Sequence, residues 1–496
     1  MTLQVLWFKR DLRLDDHAAL RLAAERGPVL PLLVVEPEYW QQDDTSGRQY
    51  RWWSGCGRAL AKDIATNGGP LAVVQGDVVR TLAKLRETHG PFDLVAHQET
   101  GNWWTYQRDI AVREWCSETG IRFDEPMQFG IWRGSKLDRD KWSKMWDAFM
   151  EDPMQPVPKV EWASHDHADA FPDEADLGIA PDPVDWMPEP GFEPACEILR
   201  SFLYERGRDY RTDMSSPTLG AQGCSRLSPY LAVGAISMKR CYQETRARQA
   251  ELADDKSEEG KAWKASLRSY VGRLHWHCHF TQKLEADPEL EWRPAVRASE
   301  GMRPPSDPML LDAFAKGSTG FPFVDACMRQ LRGTGWINFR MRAMLMSFAC
   351  YDLFLRWQEA GRVLAHLFTD YDPGIHWTQA QMQSGESGIN TLRIYNPVKQ
   401  GRDHDRQGDY IREWVEELSG CPAPQVHEPW KEDCGTQYAP PLVDHAKATK
   451  AARDAIWQVR KRPEVREEAQ RVVELHGSRR RPPRRRKPKT KATETA

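Results

Sequence analysis

Several absences narrow the field before any single residue is considered. The ten cysteines of this 496-residue chain are scattered and no CxxC pair occurs, so neither a disulfide framework nor a zinc finger is expected. Cys350, Cys421 and Cys434 lack the fourth thiolate that a cluster usually requires and read as buried small apolar residues. No run approaches the roughly 18 apolar residues that a membrane-spanning helix needs. No GxGxxG follows the first apolar run, so a dinucleotide site there is not supported. No internal repeat is present. The opening MTLQVLWFKRDLR has no charged-then-apolar leader layout, and a cytoplasmic protein without a membrane partner is the expectation.

Net charge is nearly absent too, at -3, but it is unevenly distributed. From Arg479 onward the chain carries nine Arg/Lys against one Glu, so the body before it is acidic. Any contact of that body with nucleic acid must use a local basic patch. The tail RRRPPRRRKPKTK is low-complexity and broken by proline, which predicts disorder. It suits either a nonspecific phosphate tether or a plain solvated end.

What is present divides the chain in two. LQVLWF, VLPLLVV, LAVVQ and FDLVAH read as buried parallel strands. Between them lie amphipathic stretches such as DDHAALRLAAERG and DVVRTLAKLRETHG, each opening on a capping Asp and closing on Gly. This alternation predicts an α/β N-terminal doubly wound parallel-sheet domain over residues 1–130. Residues 131–190 are proline- and acid-rich and read as a connector. Residues 191–475 carry apolar side chains at three- and four-residue spacing and predict an all-α C-terminal domain, with the basic tail at 476–496.

Four segments of the helical half are richer than packing requires. In GCSRLSPYLAVGAIS, Ser225, Arg226 and Ser228 precede a helix that Pro229 starts, where open N–H groups would hold a phosphate or form a plain cap. In YVGRLHWHCHF, Arg273, Trp276 and Phe280 share a helical face, and a Trp beside cations could stack on a base or on a flavin. His275, His277 and His279, two apart, point different ways and make a poor metal site. In GWINFRMRAMLMSF, one of Arg340 and Arg342 must reach inward, where it needs a partner. FTDYDPGIHWTQ supplies candidates in Asp370 and Asp372, with Pro373-Gly374 suiting a turn.

Taken in order, these segments resemble the photolyase/cryptochrome flavoprotein family, over nearly the whole chain to about residue 430. VLWFKRDLRLDDHAAL is similar to the family's opening strand and loop, and GCSRLSPYLAVGAIS to its flavin-phosphate motif. STGFPFVDACMRQLRGTGWINFRMR resembles its most recognisable block, and RIYNPVKQGRDHDRQGDYIREWVEEL followed by HEPW its closing one. The resemblance implies FAD in the helical domain, and on the α/β domain it allows a second, antenna chromophore of unspecified kind or none. Tyr210, Cys224, Ser225, Arg226, Leu227 and Ser228 would then line the phosphate and ribitol side, and Asn338, Tyr371 and Asp372 would join them around the cofactor. Arg342 would pair with Asp370 beside the isoalloxazine.

The family's repair enzymes use blue light and reduced FAD to pass one electron to a pyrimidine dimer flipped out of UV-damaged DNA. Trp276 would wall that lesion, with Arg273 and Arg340 beside it. A cryptochrome photoreceptor with a signalling partner is the alternative that the resemblance allows. A monomer is expected in either case. Some positions depart from the family pattern. Arg273 stands where repair members usually carry Glu, Phe339 where Asn is expected and Ala343 where Met is. His376 falls opposite flavin N5 in place of Asn, and a histidine there could donate a proton to a (6–4) lesion. In the tryptophan chain that photoreduces the flavin, Trp357 matches the middle member while Phe314 and Ala380 occupy the flanks, leaving Trp377 as a detour. Thr105 takes the place of the Glu that holds a folate antenna.

Overall fold

A computed structural model describes residues 1–134, 139–165, 170–389, 391–431 and 434–476. The basic tail from Arg479 lies outside the described residues.

Five parallel strands form one sheet in the order β3-β2-β1-β4-β5, made of β1 (Leu3–Phe8), β2 (Val29–Val35), β3 (Ala72–Gln75), β4 (Phe92–Val95) and β5 (Phe123–Asp124). Helices cover both faces, which is why all seven residues of β2 are buried and the strand reads as unbroken apolar sequence. Strand order reverses between β1 and β4, and the crevice beyond their C-terminal ends is the natural place for a ligand in such a sheet.

The helix Val78–His89 is capped as expected, Asp77 accepting from the Arg80 N–H and Gly90 closing it. The helix Ala18–Ala24 differs from expectation. Its cap is His17, not an Asp, because Asp16 takes a positive φ and its carboxylate accepts from the Gln155 N–H instead. The 131–190 connector is also more ordered than its composition suggests. It holds a helix, Arg139–Glu151, whose Trp142, Trp146 and Met150 are buried, and Glu161 and Ala163 bond to Val29 of β2.

The helical half is organised around α1 (Glu258–Ala286), α2 (Phe339–Ser347), α3 (Trp357–Leu367) and α4 (Pro373–Ser384). The stretch from Ile337 to Gly361 reads as one stripe, but a π turn at Phe348–Asp352 ends it and separates α2 from α3. Pro373 and Gly374, expected in a turn, instead form the first turn of α4, where proline loses no hydrogen bond. Gly374 is needed at that position, because a Cβ there would lie 2.6 Å from the Thr281 Cα of α1. Cys421 and Cys434 also depart from the sequence reading. The fold brings their Cα atoms to 5.5 Å across thirteen residues and they form a disulfide, while Cys350 is a buried free thiol as expected.

Polar contacts lace the two halves together. Arg48, on the helix Gly47–Thr66, donates to the Leu331 and Leu367 carbonyls and pairs with Asp182 of the connector. The Leu12 N–H donates to the Val233 carbonyl at 3.1 Å, a close approach that Gly234 permits at φ 67°.

Candidate functional site

A cavity of about 570 Å³ opens between the helices of the C-terminal half. Tyr210, Cys224, Ser225, Arg226 and Ser228 line one side of it, and Asn338, Arg342, Asp370, Tyr371 and Asp372 the other. Leu227 does not belong to this lining. It is fully buried in the core behind, since neighbours along an irregular segment point in opposite directions. Arg273, Trp276 and Arg340 reach the same cavity. Trp357 and Trp377 lie behind its wall in the core.

Four polar wall residues, Arg342, Asp370, Asp372 and His376, are held by identifiable contacts. Arg342 donates from NH2 to Asp370 Oδ2 at 2.8 Å and from Nε to the Ile337 carbonyl at 2.8 Å, with its guanidinium 4.1 Å above the Phe368 ring. Asp372 caps α4 by accepting from the Ile375 N–H and is paired with Arg10 of the sheet half at 3.3 Å. His376 donates from Nε2 to the Gly361 carbonyl at 2.9 Å. That bond fixes its tautomer, and burial pushes its pKa down to about 4, so it is neutral near pH 7.

Several buried polar atoms of the lining have no partner among the described residues. They are Asp370 Oδ1, Asn338 Oδ1, Gln383 Oε1 and both amide atoms of Gln379. Arg226 sits at φ 62° with its guanidinium 3.9 Å from the Trp336 ring and 4.7 Å from that of Trp186. Burial pushes its pKa down to about 10, and no carboxylate lies within ion-pair distance of it among the described residues. A half-buried cation in this position is suited to an anion from outside the protein. Gln379 and Gln383 were missed in the sequence, although their spacing from Asp372 and His376 places all four on one face of α4.

At the rim, Trp276 is 45% exposed and stacks on Phe280 at 5.4 Å, while Phe339 is 43% exposed beneath the Arg273 guanidinium at 5.2 Å. Of the three alternating histidines of α1, His277 lines the cavity while His275 packs on Trp142 and Trp146, as the helical geometry requires.

A second, much smaller crevice of about 60 Å³ lies at the C-terminal end of β1, beside Trp7, Glu36, Tyr39, Trp53, Thr105 and Arg108. Burial pushes Glu36 up to about 7 even though Arg108 is 2.9 Å away. A space of that size takes water, so an antenna ring there would require these side chains to move aside. Asp11, His17 and His97 form the only His/acid group compact enough for a metal among the described residues. Three of their four ring nitrogens are hydrogen-bonded, His97 to Asp11 Oδ2 and the Ala19 N–H and His17 to the Leu20 N–H, while His17 Nε2 lies 3.1 Å from the same Asp11 oxygen.

A parallel sheet joined to a helical half, with a large cavity offering unpaired polar groups and a cation without a carboxylate partner, defines a two-part protein built to hold an anionic ligand. Residues 4–149 match DNA photolyase, and residues 270–458 match the FAD binding domain of DNA photolyase. The chain is 28% identical to a deoxyribodipyrimidine photo-lyase of Alkalihalophilus pseudofirmus, covering 91% of this chain and 97% of that one. It is also 28% identical to cryptochrome-2 of Arabidopsis thaliana, covering 92% and 79%. In fold it resembles a bacterial class III photolyase from Agrobacterium tumefaciens, with a TM-score of 0.77 at 24% identity over 93% of this chain and 98% of that one. The chain belongs to the photolyase/cryptochrome family, and FAD is its cofactor. No helix among the described residues is long and apolar enough to cross a membrane.

Proposed function

We propose that this protein is a blue-light-driven, FAD-dependent lyase that splits UV-induced pyrimidine dimers in DNA. The observation that carries the reading is the rim of the cavity, where two exposed aromatic rings, Trp276 and Phe339, flank Arg273 and Arg340. Such a rim can stack an extruded base and neutralise the phosphates beside it.

Bound FAD supplies light absorption and the single electron. The residues of the chain do the remaining work. Arg226, with Ser225 and Ser228, would hold the diphosphate, relieving a guanidinium that burial otherwise leaves without an anion. Arg342 and Asp370 would present a fixed hydrogen-bonding edge to the ring system. The His376 ring, neutral and held through Nε2, would offer an unprotonated Nδ1 in place of the amide usual near N5. Trp276 would wall the lesion and Gln379 would offer it an amide edge.

A photoreceptor of the cryptochrome kind is the second reading. It is favoured by Arg273, a cation over Phe339 where repair members carry a carboxylate. The test is to reduce the flavin of the purified protein and illuminate it with an oligonucleotide that holds one defined cyclobutane dimer or one (6–4) product. Light-dependent loss of either lesion is expected. If neither is lost while the protein retains photoreducible FAD, the lyase reading fails and the photoreceptor reading stands.

A further inference from the structure

Behind the cavity wall lies a hydrogen-bonded row that the proposed repair chemistry does not use. Trp377 Nε1–H donates to the Tyr371 hydroxyl at 2.9 Å, and that hydroxyl donates to Asp44 Oδ2 at 2.5 Å. All three side chains are buried. Asp44 comes from the sheet half of the chain and is oriented by the Asn102 amide at 3.0 and 3.2 Å. Burial raises its pKa, and the Tyr371 and Asn102 hydrogen bonds only partly offset that, which makes it a better base than an ordinary carboxylate. Glu291, Tyr39 and His366 are the other titratable groups that act on Asp44 and Tyr371.

The row touches the cavity at one point and packs against a second lining residue. Tyr371 lines it directly, and the His376 ring, also in the lining, lies 4.8 Å from Trp377 and 5.4 Å from Tyr371. Trp357, the next indole, is 5.9 Å beyond Trp377 and almost fully buried at 2% exposure. A vacancy that moved to Trp357 would still be deep in the core, far from any water to take up a proton.

We infer that Trp377, Tyr371 and Asp44 form a proton-coupled electron relay that serves the flavin site. Trp377 gives one electron to FAD that is oxidised and excited by blue light. Tyr371 then returns one electron to Trp377 while its phenolic proton crosses to Asp44 Oδ2. The products are an intact Trp377, a neutral tyrosyl at position 371 and a carboxylic acid at position 44. One electron has left the triad and no proton has. Charge recombination then has to move the proton back as well as the electron, so the separated state outlives one in which the vacancy stays on an indole. Phe314 and Ala380, which cannot carry a vacancy, therefore do not prevent this single charge separation, because the relay ends inside the protein.

The experiment uses the full-length holoprotein with oxidised FAD and no DNA, so its outcome is independent of whether the protein repairs lesions. Transient absorption after a blue flash is combined with electron paramagnetic resonance of samples frozen under illumination. The wild type is expected to show a tyrosyl signal whose formation and decay both slow in D₂O. Tyr371→Phe should leave a tryptophanyl signal that decays at least about tenfold faster. Asp44→Asn should lose the tyrosyl signal although the tyrosine remains. A wild type with only tryptophanyl signals would overturn the relay, as would a Tyr371→Phe protein with unchanged spectrum and decay. The solvent isotope comparison needs no variant, so it decides the matter even if Asp44→Asn fails to fold. An identical decay in H₂O and D₂O counts against the relay.

Discussion

Arg226 shows how much a single residue can reveal about what the protein holds. Its φ of 62° is costly for a non-glycine residue, and its half-buried guanidinium lies between two indole rings without a carboxylate. The desolvation cost is borne by the apoprotein and is offset when an anion arrives. Arg226→Met should therefore separate stability from binding. The midpoint of urea unfolding of the apoprotein should stay the same or rise, since a half-buried charge without a carboxylate partner has been removed. Affinity for FAD, measured by fluorescence as the cofactor is added back, should fall by at least about tenfold, or about 1.4 kcal/mol. The opposite pattern, a weakened fold with undiminished FAD affinity, would place the anion elsewhere. That one of Arg340 and Arg342 turns inward to an acid was legible in the residues, while the pair Arg342 with Asp370 came from the family resemblance. Asp44 was not legible, since its contact with Tyr371 spans 327 residues.

At the scale of elements, the crossing of α1 and α4 fixes the wall that carries Asp372, His376 and Gln379. Gly374 makes the crossing close enough, and Gly374→Val should force the two helices apart against the Thr281 backbone. A loss of about 1–3 kcal/mol in stability is expected from such overpacking. FAD loading should drop with it, and an unchanged urea midpoint would mean that the crossing yields without cost. The strands were readable because each is a short apolar run buried on both faces, for which the sequence offers no competing period. The failures have local causes. His17 displaced an Asp as a cap because Asp16 was drawn to Gln155, and Pro373 was read as a turn residue although proline is equally at home in a first helical turn. The helix Arg139–Glu151 was obscured by the prolines around it.

For the molecule as a whole, buried titratable groups act in opposite directions. Burial holds His97 down at about 3 and His376 at about 4, terms whose stabilisation is complete above the unfolded value near 6.5 and lost as the pH falls. Burial pushes Glu291 up to about 8, helped by Asp44 nearby, although it accepts a hydrogen bond from the Trp103 N–H. That term is present in full below the unfolded value near 4.5 and is lost as the pH rises through 8. Glu291→Gln cannot ionise, so its stability relative to the wild type should be greater at pH 8 than at pH 5. The gain should not exceed about 1.4 kcal/mol for each pH unit. Urea titrations of both proteins at the two pH values provide the check, and equal differences would mean that Glu291 titrates normally.

Arg10 reaches from the end of β1 to Asp372, and Asp44 reaches from the same half to Tyr371. The two halves of the chain are therefore not interchangeable parts. A chimaera that transplants the helical half onto a foreign sheet domain would inherit the lining of the chamber but not the two side chains that hold Asp372 and Tyr371 within it. Modular recombination of this chain would have to carry those two positions along with the graft.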